Sequence, residues 1–481
     1  MTPRLNSDVK ERICQVVHSH QAYVQGVGAM SSPHRMQFTG VNFILTHVDS
    51  EWRHIAIRYA WHTVHFDDCF PNIAFSEMQA LYGHHTRKIC TTVRFRGIIS
   101  HYRRYSMTEE NEDLQPFCDL NKWPRLQELD ITYAQKCAFP GLANYLEPRL
   151  ASIRKITVRG RIPIDMRRAV MFLNSPKLKE INICAFLRED DPVSAITTRN
   201  DPILLMPIAT GLSTIRLTTS IDIRIIKAVL CAGRHQLLKV ELIGLCPTQL
   251  IASGLSLASP TRKDASLSLA EEKDGRIWKS LAVLSIRLCT HTLHGTPARI
   301  YLDATEFPRL QCLKFTECSS LIPDSELPLN IAYGQSFSNK WPKLRYLCLL
   351  AISDADLLSI SENMPLLTRI DVHSTQRLNQ SCVTTIRGVW RLLTSSLPLE
   401  TMQFTCIGES DVPNNSERSI MEEQPALDFS EMHKDHPLRV LVAPHVRLTL
   451  QQIVAIRQKC QNLSSISIDS RSNNAEDDSG L

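Results

Sequence analysis

The sequence has no long apolar run: nowhere does it contain the roughly 18 consecutive apolar residues that a helix needs to cross a bilayer. Residues Met1 to Leu5 do not begin an apolar stretch of the secretory-signal type either. With 54 basic and 49 acidic residues the formal charge is only +5, far from the domain-wide basic excess of nucleic-acid-binding proteins. We therefore expect an intracellular protein, cytoplasmic or nuclear, that binds neither membrane nor nucleic acid.

Motifs for catalysis and metal binding are also missing. The 15 cysteines are scattered without a Cys-x-x-Cys pair, which argues against a disulfide framework and a zinc ribbon. Cys289, His291 and His294 lie close together, but no second cluster completes the four ligands of a zinc site. No phosphate-binding loop, nucleophile elbow or His-Glu-x-x-His motif occurs. We expect no enzymatic activity, no cofactor and no metal.

Leucine, by contrast, is abundant and unevenly distributed. Of 57 leucines, three lie in residues 1–113 and 54 in residues 114–481. Histidine is skewed the other way, with 10 of 17 in the first 113 residues. This distribution predicts two regions of different construction.

A short pattern recurs in the leucine-rich part: an apolar residue, two variable residues, an apolar residue, one variable residue and a third apolar residue. Five close copies also carry Pro two places before the first apolar residue, at 123–131, 175–183, 307–315, 341–349 and 364–372. With weaker copies included, the first apolar residues are 126, 153, 178, 212, 237, 281, 310, 344, 367, 399, 438 and 463. The shorter steps match the 20–29 residues of a leucine-rich repeat, and the longer steps indicate insertions.

The last four positions of each copy alternate as in a strand, and several segments between copies have helical spacing. Examples of the second kind are Ile223 to Leu230, Leu357 to Ser361 and Ile453 to Cys460. We therefore predict an α/β leucine-rich-repeat solenoid, with parallel strands on the concave face and helices on the convex face. The alternative is an ordinary α/β domain with chance similarity between strand starts, which five copies with Pro at one offset argue against.

The N-terminal region shows helical spacing of apolar residues in two stretches. The first stretch contains Leu5, Val9, Ile13, Val16 and Val17; the second contains Ile44, Val48, Trp52, Ile55, Ala56 and Tyr59. Residues 21–40 carry three glycines and a proline and are predicted to be a loop. After the second helix, 63–66 and 92–96 alternate as short strands.

These observations predict the following organisation. Residues 1–62 form a helical domain, 63–120 a connecting region with degenerate first repeats, and 121–469 the irregular solenoid. Polar, unpatterned stretches at 256–276 and 408–436 are predicted insertion loops, and the polar, acidic tail 470–481 is predicted to be disordered.

The helical domain resembles an F-box. That motif opens with Leu-Pro-x-Asp/Glu-Val/Ile-x-x-x-Ile and closes with Val-x-x-x-Trp-Arg-x-Ile/Leu-Ala and a later Trp or Phe. Here Leu5 to Ile13 match the opening, with Asn6 in place of Pro, and Val48 to Ala56 followed by Trp61 match the closing part. The architecture as a whole is similar to that of the fungal F-box and leucine-rich-repeat proteins.

This resemblance implies a non-catalytic substrate receptor of a cullin-RING ubiquitin ligase. In that family the box binds a Skp-type adaptor, and the matching positions here are Leu5, Val9, Ile13, Trp52 and Ile55. Asn6 and the long gap between the two halves depart from the motif. Two alternatives therefore stay open: these residues are core positions of a helical cap, or the protein is a leucine-rich-repeat scaffold without ligase association.

On each repeat strand the residues between the apolar ones are predicted to point to the concave face. The candidate partner-binding residues on that face are Lys155, Arg159, Arg216, Arg287, Lys314, Tyr346 and Arg369. The basic side chains in the middle third, Arg216, Arg287 and Lys314, would suit an acidic or phosphorylated segment, although a solvated face without a partner is an equally open interpretation. The target protein itself is not identified by the sequence.

Overall fold

The computed structural model describes about half of the chain, in short stretches that include most of the repeat strands. The described residues are 6–28, 45, 48–66, 80–93, 123–133, 152–160, 175–185, 210–218, 226, 229–230, 232–245, 277–288, 298–299, 302, 305–317, 331–333, 336–350, 352–373, 384, 386–405, 432–433, 435–443 and 450–468. The chain divides into two compact units, Met1–Ala232 (unit 1) and Gly233–Leu481 (unit 2). No described helix is long and apolar enough to span a membrane.

Unit 1 begins with two helices, α1 (Ser7–Gly28) and α2 (Ser50–Ala60), which pack against each other. Both helices start at polar caps. The Asn6 side chain accepts a hydrogen bond from Asp8 N (3.2 Å), and the Asp49 side chain accepts one from Trp52 N (2.8 Å). Asparagine and aspartate are favoured there because their side chains bind backbone N–H groups that lack a helical partner. Asn6, which departs from the F-box motif, therefore has a structural role as a cap.

Six parallel strands follow in unit 1, and each pairs with the next along the chain. They are β1 (Thr63–Phe66), β2 (Lys88–Val93), β3 (Glu128–Tyr133), β4 (Lys155–Gly160), β5 (Glu180–Ala185) and β6 (Thr214–Thr218). A short 3-10 helix, Gly83–His85, precedes β2. Consecutive parallel pairing requires a crossover in every repeat, as a solenoid does.

Unit 2 continues the same construction with ten strands. They are β7 (Lys239–Leu245), β8 (Val283–Leu288), β9 (Ala298–Arg299), β10 (Cys312–Glu317), β11 (Ile331–Ala332), β12 (Tyr346–Leu349), β13 (Arg369–Val372), β14 (Thr401–Phe404), β15 (Val440–Ala443) and β16 (Ser465–Ile468). Strands β7, β8, β10, β12, β13, β14, β15 and β16 form one parallel ladder in that order, and β9 pairs with β11 separately.

Three helices of unit 2 are described: α3 (Asp354–Asn363), α4 (Ile386–Thr394) and α5 (Leu450–Lys459). Helix α3 starts at a capping box, in which Ser353 and Asp356 bond each other's backbone N–H groups. Leu357 and Ile360 of α3 are buried, and α4 packs beside it. Helices α3 and α5 confirm the helical spacing predicted between repeats.

The repeat pattern has a simple local cause. In the five close copies, the N–H of the first apolar residue bonds the carbonyl of the residue three before it, for example Leu344 N to Trp341 O (3.2 Å) and Leu367 N to Met364 O (3.1 Å). This hydrogen bond closes a β-turn. The Pro two places before the apolar residue is the second residue of the turn, where its restricted φ angle is favourable. The strand then begins two residues after the apolar residue, so all twelve predicted strands are present.

The core of each unit lies on one side of the strands. In β4, β8, β10 and β13 the apolar positions of the repeat are almost fully buried, whereas the intervening side chains are mostly half-buried or exposed. Each unit is thus an α/β solenoid, as predicted from the leucine spacing. Among the described cysteines, which form no disulfide, Cys14, Cys348 and Cys460 are buried, and Cys90 and Cys312 are half-buried.

Some predicted boundaries were wrong. Helix α1 continues through residues 21–28, predicted as loop, because the glycines there stand at its C-terminal end, where glycine is common. Helix α2 starts at Ser50, after the Asp49 cap, and not at Ile44. The strand predicted at 92–96 begins earlier, at Lys88, where it aligns with β1 and β3.

Three predicted segments fall largely outside the described residues. They are the insertion loop at 256–276, the loop at 408–436 apart from 432–433 and 435–436, and the tail 470–481. These three assignments, and the domain boundaries at 62 and 120, stay predictions.

Candidate partner-binding surfaces

The first candidate surface is formed by α1 and α2. Cys14 of α1 packs with Trp52, Ile55 and Ala56 of α2 in a small core that Leu45 and Tyr59 border. The buried Lys10 also joins the two helices. Its Nζ atom lies 2.5 Å from Glu51 Oε2 and 5.5 Å from the centre of the Trp52 ring. Trp52 and Ile55 therefore stabilise the helical pair and contribute little exposed surface.

The apolar stripe of α1 points away from that core. Val9, Ile13 and Val16 follow one another at helical spacing and are 44%, 36% and 58% exposed. We call these three residues the α1 stripe. The residues of α1 that pack on α2, Lys10 and Cys14, lie one position further along, so the apolar periodicity of α1 is not satisfied within the helical pair. Leu5 lies outside the described residues.

Two histidines border this region. His62 is half-buried, and its ring makes an edge contact with the ring of His18, with 4.7 Å between the ring centres. Burial, together with the nearby positive charges of His18, Arg87 and Lys88, lowers the pKa of His62 to about 4. His62 is therefore neutral at physiological pH and belongs to the packing around α1.

The second candidate surface is the strand face predicted to be concave, which we call the polar strand face. In unit 1 its charges alternate in sign along one register row, with Lys88 beside Glu128, Glu128 beside Lys155, and Lys155 beside Glu180. Ion pairs join Lys155 to Glu180 at 2.9 Å and Lys88 to Asp130 at 3.8 Å. The charges in this row therefore largely compensate one another.

Arg216 and Arg159 are the two further residues that were predicted to lie on this face of unit 1. Arg216 on β6 is half-buried and in register with Asn182. Arg159 on β4 lies in register between Thr132 and Cys184, and its side chain is outside the described part of the structure. With Lys155, they occupy the positions on the repeat strands that the sequence predicted.

In unit 2 three of the four remaining predicted residues, Lys314, Tyr346 and Arg369, come together, whereas Arg287 on β8 pairs with Glu241. The register places Cys312 beside Tyr346 and Tyr346 beside Arg369. Lys314 lies two residues further along β10, beside Cys348. The Tyr346 ring has a cation near each side: Lys314 Nζ is 4.6 Å and the Arg369 guanidinium carbon 4.8 Å from the ring centre. Cation–π contacts of this kind favour a fixed arrangement of all three side chains.

Asp371 binds two of these side chains, Tyr346 and Arg369. The Tyr346 hydroxyl donates a hydrogen bond of 2.6 Å to Asp371 Oδ2, and Arg369 Nη2 lies 2.8 Å from the same oxygen. The Asp371 side chain is 2% exposed, whereas that of Arg369 is 44% exposed. Burial and the hydrogen bond to Asp371 raise the pKa of Tyr346 well above its ordinary value. We call Lys314, Tyr346, Arg369 and Asp371 the Tyr346 cluster.

Three possible metal ligands also meet here. Cys348 Sγ, a carboxylate oxygen of Asp371 and a ring nitrogen of His373 lie within 4.8 Å of one another. Burial and the charge of Asp371 raise the pKa of Cys348 to about 11, and the Asp371 carboxylate already binds Arg369 and Tyr346. Because a metal would have to displace the thiol proton and compete with a guanidinium, we interpret these residues as a polar network joined to the Tyr346 cluster.

The sequence analysis did not predict that Cys348 and His373 lie beside Asp371. The only signal was the spacing of two between Arg369, Asp371 and His373, which puts all three on one side of a strand. Cys289, His291 and His294, the cluster noted in the sequence, lie outside the described residues.

No protein-family model matches this sequence, and no curated protein is similar to it. Among solved structures, one similar chain belongs to the complex of Rad7 and Elc1 in yeast. The match has a TM-score of 0.30 and 14% sequence identity, and it covers 79% of this chain and 94% of the other. A likeness at this level carries no information about function, which must be sought in the side chains of this protein itself.

Proposed function

We propose that this protein is a non-catalytic substrate receptor. Its N-terminal helices bind a Skp-type adaptor of a cullin-RING ubiquitin ligase, and its repeats bind a target protein. The receptor's contribution is positional, because holding a target near the ligase raises the effective concentration of the target's lysines. The observation that carries the proposal is the exposed α1 stripe, of which Val9 and Ile13 belong to the segment that resembles the opening of an F-box.

The exposure of the stripe supports adaptor binding over a purely structural cap. If these apolar side chains served only the fold, they would be buried in the helical pair, as Cys14 and Trp52 are. Val9, Ile13 and Val16 instead remain exposed, and grouped exposed apolar side chains are typical of protein-binding sites. The adaptor-binding residues are accordingly Val9 and Ile13, together with Leu5; Trp52 and Ile55 support them from the core.

Purified full-length protein and a purified Skp-type adaptor test the proposal. We expect the wild type to retain the adaptor and the double variant Val9→Asp/Ile13→Asp to lose at least tenfold in affinity, because a carboxylate at either position would be buried without a partner. Val454→Asp is the matched control, since Val454 is an equally exposed apolar residue (45%) on α5. The control should bind like the wild type.

Two outcomes would contradict the proposal. One is a wild-type protein that retains no adaptor; the other is a double variant that binds as well as the Val454→Asp control. In either case the scaffold alternative is favoured, in which the repeats alone bind partners without ligase association. Retention of the helical content of α1 and α2, measured by circular dichroism, shows that the double variant is folded.

A further inference from the structure

The charges on the polar strand face of unit 2 are unequally compensated. Between β7 and β13 the described charged side chains on this face are Lys239, Glu241, Arg287, Lys314, Arg369 and Asp371. Both acidic residues are paired with an arginine: Arg287 Nη2 lies 3.5 Å from Glu241 Oε1, and Arg369 binds Asp371. Lys239 and Lys314 have no acidic partner within the described part of the chain. In unit 1 the described side chains of the same face carry equal numbers of both signs.

The two lysines share a small region. The order β7, β8, β10 places Lys239 and Lys314 two strands apart, and Lys314 lies two residues further along its strand, so the two residues are about 12 Å apart. Cys312 lies in the same register row as Lys239 and Tyr346, between them. Burial raises the pKa of its thiol, while the charges of Lys314, Lys239 and Arg369 act on it in the opposite direction. All three cations are thus close enough to influence this half-buried group.

On the basis of the proposed function, we infer that this face of unit 2 binds an extended, acidic peptide segment of the target, whose carboxylates pair with Lys239 and Lys314 beside the Tyr346 ring. An extended chain advances about 3.3 Å per residue. Because its side chains alternate sides, two acidic residues that both face the sheet are separated by an odd number of residues. Two acidic residues separated by three others, as in Glu-x-x-x-Glu, lie on one side about 13 Å apart and therefore span the distance between the lysines.

The side chains present favour carboxylates over phosphates. Phosphate recognition commonly uses the planar fork of arginine, which binds two oxygens at once. Here the arginine forks are already directed to Glu241 and Asp371, and the free cations are lysines, which act as single point charges. A doubly charged phosphate would in addition approach the negative charge of Asp371.

Fluorescence anisotropy with the full-length protein tests this inference. The probe is a labelled Gly/Ser peptide that contains Glu-Gly-Ser-Gly-Glu, compared with a Gln-Gly-Ser-Gly-Gln peptide and with a peptide carrying two phosphoserines at the same positions. We expect binding of the Glu peptide that weakens as salt increases, and at least tenfold weaker binding of the Gln peptide. The variant Lys239→Gln/Lys314→Gln should lose at least tenfold in affinity, and the exposed Lys343→Gln, in the turn before β12, should not.

A charge-reversal variant separates binding from folding, because a variant that gains binding of a new peptide must be folded. Lys314→Glu should lose the Glu-Gly-Ser-Gly-Glu peptide and gain binding of a peptide with one glutamate replaced by lysine. Equal affinity for the Glu and Gln peptides, or unchanged binding by the double variant, would overturn the inference. Tighter binding of the phosphoserine peptide by tenfold or more would overturn the preference for carboxylates. The Val9→Asp/Ile13→Asp variant should bind the peptide normally, so failure here and failure of adaptor binding are distinguishable.

Discussion

Replacing Asp371 by alanine should lower the free energy of unfolding of unit 2 by about 3 kcal/mol. Two contacts determine this value. The hydrogen bond from the Tyr346 hydroxyl ends on a buried, charged acceptor (2.6 Å) and contributes about 2 kcal/mol. The Arg369 ion pair (2.8 Å) contributes about 1 kcal/mol or less, because the arginine side chain is 44% exposed and water screens the pair.

Urea unfolding followed by amide hydrogen exchange in β12, β13 and β14 measures this loss in unit 2 alone. Gln403→Ala is the matched control, because Gln403 is in register with Asp371 on β14 and is half-buried; it should change stability by less than about 1 kcal/mol. A double-mutant cycle with Tyr346→Phe should give a coupling energy of about 1–2 kcal/mol. If Asp371→Ala costs no more than Gln403→Ala, the Tyr346 cluster is a solvated surface pair and the reasoning is wrong.

Three further predictions concern unit 2. Because burial raises the pKa of the Cys348 thiol from its ordinary 9.0 to about 11, the folded state holds this proton more tightly, so stability should fall as pH rises from 9 to 11; Cys348→Ala should flatten that part of the urea-midpoint profile. Ser353→Ala removes the cap of α3 and should cost about 1 kcal/mol in urea unfolding, and an unchanged midpoint would exclude the capping role. Gly388→Ala should lower the thermal midpoint, since a Cβ there would lie 2.8 Å from the buried Leu357 Cδ1; an unchanged midpoint would mean that α3 and α4 shift freely.

The strands could be predicted because the sequence signals that specify them are local. In the five close copies a Pro at the second turn position, a buried apolar residue at the fourth, and alternation afterwards define a turn and a strand within about nine residues. The seven weaker copies keep the alternation without this Pro. Leu344 and Leu367 show this clearly: each closes a turn, and the strand follows two residues later. Helix ends were predicted less well. Glycines at 26 and 28 indicated a loop, but glycine is also common at the C-terminal end of a helix, and α1 in fact continues to Gly28.

The candidate surfaces were predictable only in part. Alternation put Lys314, Tyr346 and Arg369 on one face, but no sequence pattern indicates that residues from β10, β12 and β13 meet around one ring. In α1 the apolar periodicity predicted a packing stripe, whereas Lys10 and Cys14 make the packing contacts. A lysine is rarely buried without a partner. The burial of Lys10 depends on Glu51 and the Trp52 ring, both distant in sequence.

The leucine count and repeat spacing by themselves determined that the chain is an α/β solenoid, because turn closure and strand alternation are local and repeat along the chain. Only the tertiary structure decided which charges compensate one another. Ion pairing depends on strand register, and register brings together residues such as Arg287 and Glu241 that are far apart in sequence. Register also leaves Lys239 and Lys314 without an acidic partner among the described residues. The α1 stripe is exposed for a different reason: the helix turns Lys10 and Cys14 toward α2.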